Sequence, residues 1–175
     1  MTGIEARLSM RVGQGFDVHP FSHLRDRALV LGGVEIAEGP GLAGHSDADV
    51  LSHALADAVL GAAGLGDIGA HFPATDAAFA GADSIELLCR VVAMAASQNL
   101  IPVNADCTVV CERPRIADHL SQMAVRLGEA LGAPVNVKAK RAEGLGALGR
   151  SEGIAALAVV LLEPGDRRPA GGTIK

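Results

Sequence analysis

The apolar residues of the chain follow two periods, one typical of strands and the other of helices. Short apolar or alternating runs bounded by Gly, Pro or polar residues predict strands at 10–17, 103–111, 134–139 and 153–163, and a strand or hairpin at 28–36. Apolar residues spaced three or four positions apart predict helices that begin near 46, 83 and 117 and end near 61, 98 and 131.

The order of these elements indicates the fold class. Strands and helices follow one another without regular strand–helix–strand units, so we expect an α+β two-layer sandwich with a mixed β-sheet packed on about three helices. At 175 residues and 49% apolar, the chain fits a single domain over 1–175 with a core at about 10–163. Residues 1–9 are expected to be a lead-in, and 164–175 a tail that frays.

The first predicted helix follows a polar cluster. Ser46 or Asp47 is the expected N-cap, because their side chains can accept hydrogen bonds from the free N–H groups of a helix start. Such N–H groups also attract anions, which makes His45 and Ser46 candidates for phosphate binding. The second helix opens at 83–86 with capping-box spacing.

Two potential metal ligands lie on the first predicted strand. Asp17 and His19 are two positions apart, so their side chains share one face. An Asp oxygen and a His nitrogen suit Zn²⁺, but the ion needs at least one further ligand, for which His53 is the candidate. The alternative is a strand that ends in a polar turn. In the same strand, Gly13 and Gly15 predict the close approach of another backbone.

A polar stripe runs along the first helix. Asp49, His53 and Asp57 recur every four positions among apolar neighbours. The stripe is either a solvated face or a metal-binding histidine supported by carboxylates.

Two glycine-punctuated loops carry further candidates. Residues 64–73 combine a carboxylate with an aromatic ring, which is typical of a binding loop. Residues 140–150 hold three cations and one carboxylate. That loop either faces phosphates and a second metal ion or is a solvated turn.

Composition narrows the class of protein. With no Trp, no Tyr and a net charge of -5, neither base stacking nor a broad basic surface for nucleic acid or anionic membrane is expected. Cys89, Cys107 and Cys111 lack Cys-x-x-Cys spacing and are expected to be buried, reduced thiols. The chain has no secretory signal pattern and no apolar run of ~18 residues, so the expected location is the cytoplasm.

Several motifs follow one another between about residue 10 and about residue 163. They are Gly15-Phe16-Asp17-Val18-His19, His45-Ser46-Asp47-x-Asp49, His53, Leu65-Gly66-Asp67-Ile68-Gly69-x-x-Phe72-Pro73, and Glu143-Gly144-Leu145-Gly146 with Gly149-Arg150-x-Glu152-Gly153. In this order they resemble the 2-C-methyl-D-erythritol 2,4-cyclodiphosphate synthase family of the non-mevalonate isoprenoid pathway.

The resemblance implies two metal sites. Asp17, His19 and His53 correspond to the family's zinc ligands, which leave a fourth position for a substrate phosphate oxygen. Glu143 corresponds to a ligand of a second divalent ion, Mg²⁺ or Mn²⁺.

The resemblance also implies which residues meet the substrate. The expected contacts are His45 and Ser46 for the diphosphate, Asp67, Ile68, Gly69 and Phe72 for the methylerythritol part, Cys111, Arg113, Pro114, Arg115 and Ala139 for cytidine, and in addition Asp76 and Arg150. His45, Ser46, Arg141 and Glu143 form the expected catalytic set.

The implied reaction needs no protein nucleophile. In the family, the 2-phosphate of 4-diphosphocytidyl-2-C-methyl-D-erythritol 2-phosphate attacks the β-phosphorus and CMP leaves, which forms the cyclic diphosphate. The family is a homotrimer with its active sites between subunits, so the expected partners are this small molecule and further copies of the chain. Neither nucleic acid nor membrane is an expected partner.

The chain departs from the family pattern at three places. Lys140-Arg141-Ala142 stands where consecutive threonines are usual, Ala74 where an Asp follows Phe-Pro, and Ala147 where Phe is frequent. We expect Arg141 to replace a neutral hydrogen bond to phosphate with a charge-assisted one. The alternative function is a zinc-stabilised trimeric binding protein that has lost turnover.

Overall fold

The computed structural model describes residues 10–24 and 26–165. Its strands are β1 (Arg11–Pro20), β2 (Leu29–Leu31), β3 (Val34–Ile36), β4 (Leu100–Val110), β5 (Val135–Lys140) and β6 (Gly153–Pro164). Its helices are α1 (Val50–Ala63), α2 (Ile68–His71), α3 (Ser84–Ser97), α4 (Leu120–Leu131) and α5 (Gly146–Gly149), with 3₁₀ turns at Ala77–Phe79 and Ala117–His119. The predicted lead-in at 1–9 and the predicted tail from 166 onward lie outside the described residues. Pro164, expected in the tail, is the last residue of β6.

The predicted α+β two-layer architecture is confirmed. Four strands form one sheet in the order β1-β6-β4-β5, and the pairing is antiparallel except between β4 and β5, which makes the sheet mixed. The long helices α1, α3 and α4 cover one face of the sheet, and one apolar core lies between the two layers. Among the strands of the described residues, β2 and β3 pair only with each other, which confirms the hairpin. Across 10–24 and 26–165, no helix is both long and apolar enough to cross a membrane.

Helix α1 lies unusually close to β1 because of two glycines. A Cβ atom on Gly13 would stand 1.9 Å from the carbonyl oxygen of Ala58, and one on Gly15 would stand 2.0 Å from that of Ala54. Real side chains do not fit at such distances, so the predicted close approach of a backbone is confirmed. The next residues on the same face of β1 are therefore held directly against α1.

The predicted N-cap of α1 is wrong. Asp49, not Ser46 or Asp47, caps the helix by accepting hydrogen bonds from two N–H groups of its first turn. Its carboxylate is fully buried and also accepts from Gly32 N at 2.8 Å and Gly33 N at 2.7 Å. Burial raises the pKa of Asp49. Sequence neighbours alone could not indicate this cap, because the β2–β3 turn contributes two of the five hydrogen bonds that the Asp49 carboxylate accepts.

The other face of the sheet carries exposed apolar side chains. On β1 and β6 these are Val12, Phe16, Val18, Leu157 and Val159. The strand register sets Phe16 directly opposite Leu157, so the side chains form a continuous patch. Apolar patches of this kind are typical of surfaces that contact another protein.

Candidate metal centre and substrate pockets

A cluster of three side chains lies between β1 and α1. Asp17 and His19 project from the strand toward the helix, and His53 projects from the first turn of α1. Asp17 Oδ2 lies 2.9 Å from both His19 Nε2 and His53 Nδ1, and the two nitrogens are 3.3 Å apart. The predicted grouping of these three residues is present in the structure, and the alternative of a solvated strand end is wrong.

The spacing of the cluster fits a metal ion. Tetrahedral zinc with bonds of about 2.0–2.1 Å keeps its ligand atoms about 3.3 Å apart, close to the distances in this triangle. Three acceptor atoms that face one another repel unless a proton or a cation lies between them. One carboxylate and two imidazoles are a donor set that zinc favours, and three protein ligands leave a position open for a substrate.

Hydrogen bonds orient both imidazoles. His19 Nδ1 donates to the carbonyl oxygen of Ala43 at 2.7 Å, which leaves Nε2 facing the cluster. On His53 the arrangement is reversed, since Nε2 lies 2.9 Å from Ser84 Oγ and Nδ1 faces the cluster. Partners of this kind hold a metal-binding histidine in one tautomer.

The cluster shifts the pKa of its own members. Burial raises the pKa of Asp17, but its close contacts with the His19 and His53 imidazoles outweigh burial and hold this pKa far below its usual value. For His19, burial lowers the pKa, and the hydrogen bond with Asp17 outweighs it and raises the pKa above the usual value. The lowered pKa of Asp17 favours the ionised carboxylate, which is the form that binds a metal.

The carboxylates of the predicted α1 stripe do not support His53. Asp49 is the helix cap, and Asp57 accepts a hydrogen bond from Ile68 N at 2.7 Å. Burial raises the pKa of Asp57. The prediction that these residues back the histidine is wrong, and the stripe is not a solvated face either. Asp57 instead holds the start of α2 against α1.

His45 and Ser46 lie beside the cluster, in the loop before α1. His45 Nε2 donates to the carbonyl oxygen of Asp76 at 2.8 Å, and Ser46 Oγ lies 3.2 Å from His53 Nε2. The first free N–H groups of α1 are already bound by Asp49. The start of α1 is therefore not free to bind an anion, contrary to the prediction from the sequence.

The loop at 64–73 closes a small cavity over the metal cluster. Asp67 caps α2 by accepting from Ala70 N at 2.9 Å, and Gly69 lies within this short helix. Asp76 caps the next 3₁₀ turn. The cavity has a volume of about 230 Å³. Its lining consists of Asp17, His19, His45, Ser46, His53, Ile68, Phe72, Ala74, Phe79 and Leu87.

A second, larger cavity lies at the ends of β4 and β5. It has a volume of about 830 Å³. The predicted cytidine-contact residues line it together: Cys111, Arg113, Pro114, Arg115 and Ala139, with Arg141 at its edge. Sequence reasoning missed other residues that line this cavity, among them Phe21 and residues 38–40, which carry no motif.

Arg141 lies at the edge of this cavity in an ion pair. Its Nε donates to Glu112 Oε1 at 3.0 Å, and Nη2 contacts the same oxygen. The hydrogen bond from Arg141 lowers the pKa of Glu112. Glu112 Oε2 also accepts from Ala142 N at 3.1 Å, so this carboxylate organises the start of the 140–150 loop.

The remaining predicted residues of the loop stand apart from the metal cluster. Glu143 is exposed and has a φ of 52°, a left-handed conformation that costs a non-glycine residue energy and often marks a functional position. Arg150 pairs with Glu152 at 2.7 Å. Within the described residues, neither lines either cavity.

The prediction of three buried cysteines is wrong for Cys89. Cys107 and Cys111 are buried, and burial raises their pKa values to about 12 and about 11, but Cys89 is exposed on α3. At pH 8 we expect a thiol reagent to label one cysteine in the folded chain and three after denaturation, because a thiol with a pKa near 11 is thiolate in only about one molecule in a thousand. Mass spectrometry of the labelled chain tests this. Rapid labelling of Cys111 in the folded chain would contradict it.

A mixed-sheet α+β fold with an Asp-His-His cluster next to a ligand-sized cavity defines a class of metal-binding proteins with a substrate pocket. The model of the YgbB family matches residues 10–163. The chain belongs to this family, which confirms the resemblance found in the sequence.

Relatives that carry the name of an enzyme align with nearly all of the residues that the family model matches. The 2-C-methyl-D-erythritol 2,4-cyclodiphosphate synthase of Geotalea uraniireducens is 54% identical over 157 residues, 88% of this chain and 99% of the relative. The synthase of the same name from Symbiobacterium thermophilum is 55% identical over 156 residues, 87% of this chain and 98% of the relative. The structure of IspF from Plasmodium falciparum, solved as a CDP complex, has a TM-score of 0.78 at 29% identity, over 92% of this chain and 100% of that one.

Proposed function

We propose that this chain converts 4-diphosphocytidyl-2-C-methyl-D-erythritol 2-phosphate to 2-C-methyl-D-erythritol 2,4-cyclodiphosphate and releases CMP. The observation that carries the proposal is the Asp17, His19 and His53 triangle in the wall of a cavity that Ile68 and Phe72 also line. Relatives at 54% and 55% identity bear the name of this synthase. The metal-binding triangle and the names of these relatives together favour the enzyme over a binding protein without turnover.

The reaction joins two anionic phosphate groups, which repel each other. The residues around the small cavity can reduce this repulsion. A zinc ion held by Asp17, His19 and His53 would act as a Lewis acid on a phosphate oxygen. His45 and Ser46 lie at the same cavity, where they can orient the diphosphate. The apolar walls from Ile68 and Phe72 suit the methylerythritol carbon skeleton and exclude water around the reacting groups.

The larger cavity is the proposed cytidine site. Cys111, Pro114 and Ala139 give it an apolar floor that a pyrimidine ring can contact, and Arg113, Arg115 and Arg141 give it positive charge for the α-phosphate. Glu143, which follows Arg141 by two residues, is the residue that would hold Mg²⁺ or Mn²⁺, and this ion would offset the negative charge of the phosphates. A CDP complex of a structurally similar relative supports a nucleotide site in this fold.

We propose that the complete active site forms between copies of the chain in a homotrimer. The metal cluster and the cytidine residues line two separate cavities, whereas the substrate must reach both. A contact between chains would also cover the apolar patch around Phe16 and Leu157, which is otherwise open to water.

The direct test is incubation of the purified protein with this substrate, zinc and Mg²⁺ or Mn²⁺. We expect CMP and the cyclic diphosphate in equal amounts, by ³¹P NMR and chromatography. The substrate without protein is the control. Substrate binding without CMP release would support the binding protein instead.

Arg141→Ala is expected to lower kcat/KM roughly ten- to a hundredfold, since a charge-assisted hydrogen bond to a substrate phosphate would be lost. Steady-state kinetics at rising salt tests this, because the loss should shrink as salt screens a contact of a side chain that is 65% exposed. Arg126→Ala is the matched control, since Arg126 is a similarly exposed arginine that pairs with Glu129 on α4. Unchanged kcat/KM at low salt would mean that Arg141 serves only its pair with Glu112.

A further inference from the structure

The side of His53 that faces away from the metal cluster meets a buried chain of polar groups. His53 Nε2 lies 2.9 Å from Ser84 Oγ, and the hydroxyl of Ser84 donates to Asp47 Oδ1. The backbone N–H of Ser84 donates to Asp47 Oδ2 at 3.0 Å. Ser84 is only 1% exposed, so these hydrogen bonds have no competition from water.

The directions of these bonds determine the tautomer of His53. Because the hydroxyl proton of Ser84 is directed at the Asp47 carboxylate, Ser84 Oγ can only accept from the imidazole. The ring proton of His53 must then be on Nε2. Nδ1 keeps its lone pair, and this is the atom that faces Asp17 and His19.

From this arrangement we propose that Ser84, held by Asp47, is the positioning residue that fixes His53 with Nδ1 free for the metal. The proposal rests on the metal role of His53 in the proposed function and adds two residues to it. Within the described part of the chain, neither Asp47 nor Ser84 forms a hydrogen bond with Asp17 or His19, so their contact with the cluster is through His53. Asp47 Oδ1 also accepts from Asp49 N at 3.2 Å, and Ser84 Oγ lies 3.5 Å from Ser46 Oγ.

The loop that carries Asp47 is itself anchored to the segment before α3. Asp47 N donates to the carbonyl oxygen of Ala82 at 3.1 Å, and Gly81 N donates to that of His45 at 2.8 Å. The start of α3 and the loop at 45–47 therefore form one unit. Through this unit, the position of α3 determines the orientation of a ligand carried by α1.

Ser46 is a weaker candidate for the same role. Its Oγ lies 3.2 Å from His53 Nε2, farther than that of Ser84, and it already accepts from Ala48 N. No carboxylate among the described residues fixes the direction of its hydroxyl proton. Ser46 therefore does not determine which nitrogen of His53 carries the proton.

The test uses the full-length, zinc-loaded protein and measures zinc affinity by competition with a chelating dye. Ser84→Ala is expected to raise the zinc dissociation constant about 10–100-fold, as is typical when the hydrogen-bond partner of a metal-binding histidine is lost. Asp47→Ala should raise the zinc dissociation constant by a similar factor. Asp47→Asn should retain part of the affinity, because its side-chain carbonyl still accepts from Ser84.

A spectroscopic measurement separates positioning from general destabilisation. In ¹H–¹⁵N spectra of histidine side chains, the wild type should give a slowly exchanging His53 Nε2–H signal that Ser84→Ala loses. The matched control is Asp83→Ala, which removes the N-cap of the same helix, where Asp83 Oδ1 accepts from Ile85 N at 2.8 Å, without touching His53. It should lower thermal stability but leave the zinc affinity and the Nε2–H signal unchanged.

Two outcomes of the comparison between Ser84→Ala and Asp83→Ala would overturn the inference. One is a Ser84→Ala protein with wild-type zinc affinity and an intact Nε2–H signal; the other is an equal loss of affinity in Asp83→Ala. If Ser84→Ala does not fold, the comparison of Asp47→Ala with Asp47→Asn decides, and equal affinities in those two would also overturn it. A wild-type protein that binds no zinc would refute the proposed metal site instead.

Discussion

Replacing His53 with Ala is expected to release most of the bound zinc and to abolish turnover while the chain still folds. His53 is the ligand that joins α1 to the two ligands on β1, so two ligands on one strand would remain, too few to hold the ion. Loss of the imidazole also removes its hydrogen bond with the buried Ser84 Oγ, and the net contribution of such a bond is about 0.5–1.5 kcal/mol. Metal analysis of the purified variant, kinetics and thermal unfolding measure the three effects.

Asp57→Ala is the matched control one turn along α1. Its carboxylate binds Ile68 N and not His53, so the zinc content should stay at the wild-type value. Because Ile68 lines the small cavity, we expect KM to rise instead. A full zinc complement in His53→Ala would remove this residue from the site, and zinc loss in Asp57→Ala would restore the supporting role that its spacing first suggested.

Much of the fold could be predicted because local signals and tertiary packing agree. Asp83 caps α3 as its capping box indicates, and the two glycines of β1 allow the close approach of α1. The predicted N-cap of α1 was wrong because the actual cap, Asp49, also accepts hydrogen bonds from the distant β2–β3 turn. Cys89 was assigned to the core, although α3 buries only one face and Cys89 lies on the other.

Site residues could be predicted from the sequence where their own side chains offer an atom that binds a metal. Asp17, His19 and His53 are recognisable because few other roles suit an Asp-x-His strand facing a helical histidine. Ser84 was missed because a serine at a helix start is explained by capping alone. Its role depends on Asp47, 37 residues earlier, and no periodicity links two loops at that distance.

The division of the site into two cavities has a physical cause that no single-chain pattern reveals. His53 lies on α1 against β1, at one edge of the sheet, whereas Glu143 follows β5 at the other edge. His53 lines the small cavity, and Glu143 lines neither of the two cavities. If both are required for turnover, the proposed homotrimer can supply them to one site from different copies of the chain.

Mixing two inactive variants tests this division. In the proposed homotrimer, His53→Ala disables the metal half of the site and Glu143→Gln the nucleotide half, so each variant should be inactive alone. After the two are unfolded and refolded together in equal amounts, a site is intact only when its metal half comes from a Glu143→Gln chain and its nucleotide half from a His53→Ala chain. Random assembly makes about a quarter of the sites intact, so we expect about a quarter of wild-type activity.

The controls are each variant refolded alone and a mixture of His53→Ala with Asp17→Ala, which disable the same half and should not restore activity. CMP release measured against wild type refolded in parallel gives the recovered fraction. Size-exclusion chromatography with light scattering checks that mixed trimers have formed. Mixed trimers without activity would mean that His53 and Glu143 must belong to one chain, and the active site would then have to close within a single subunit.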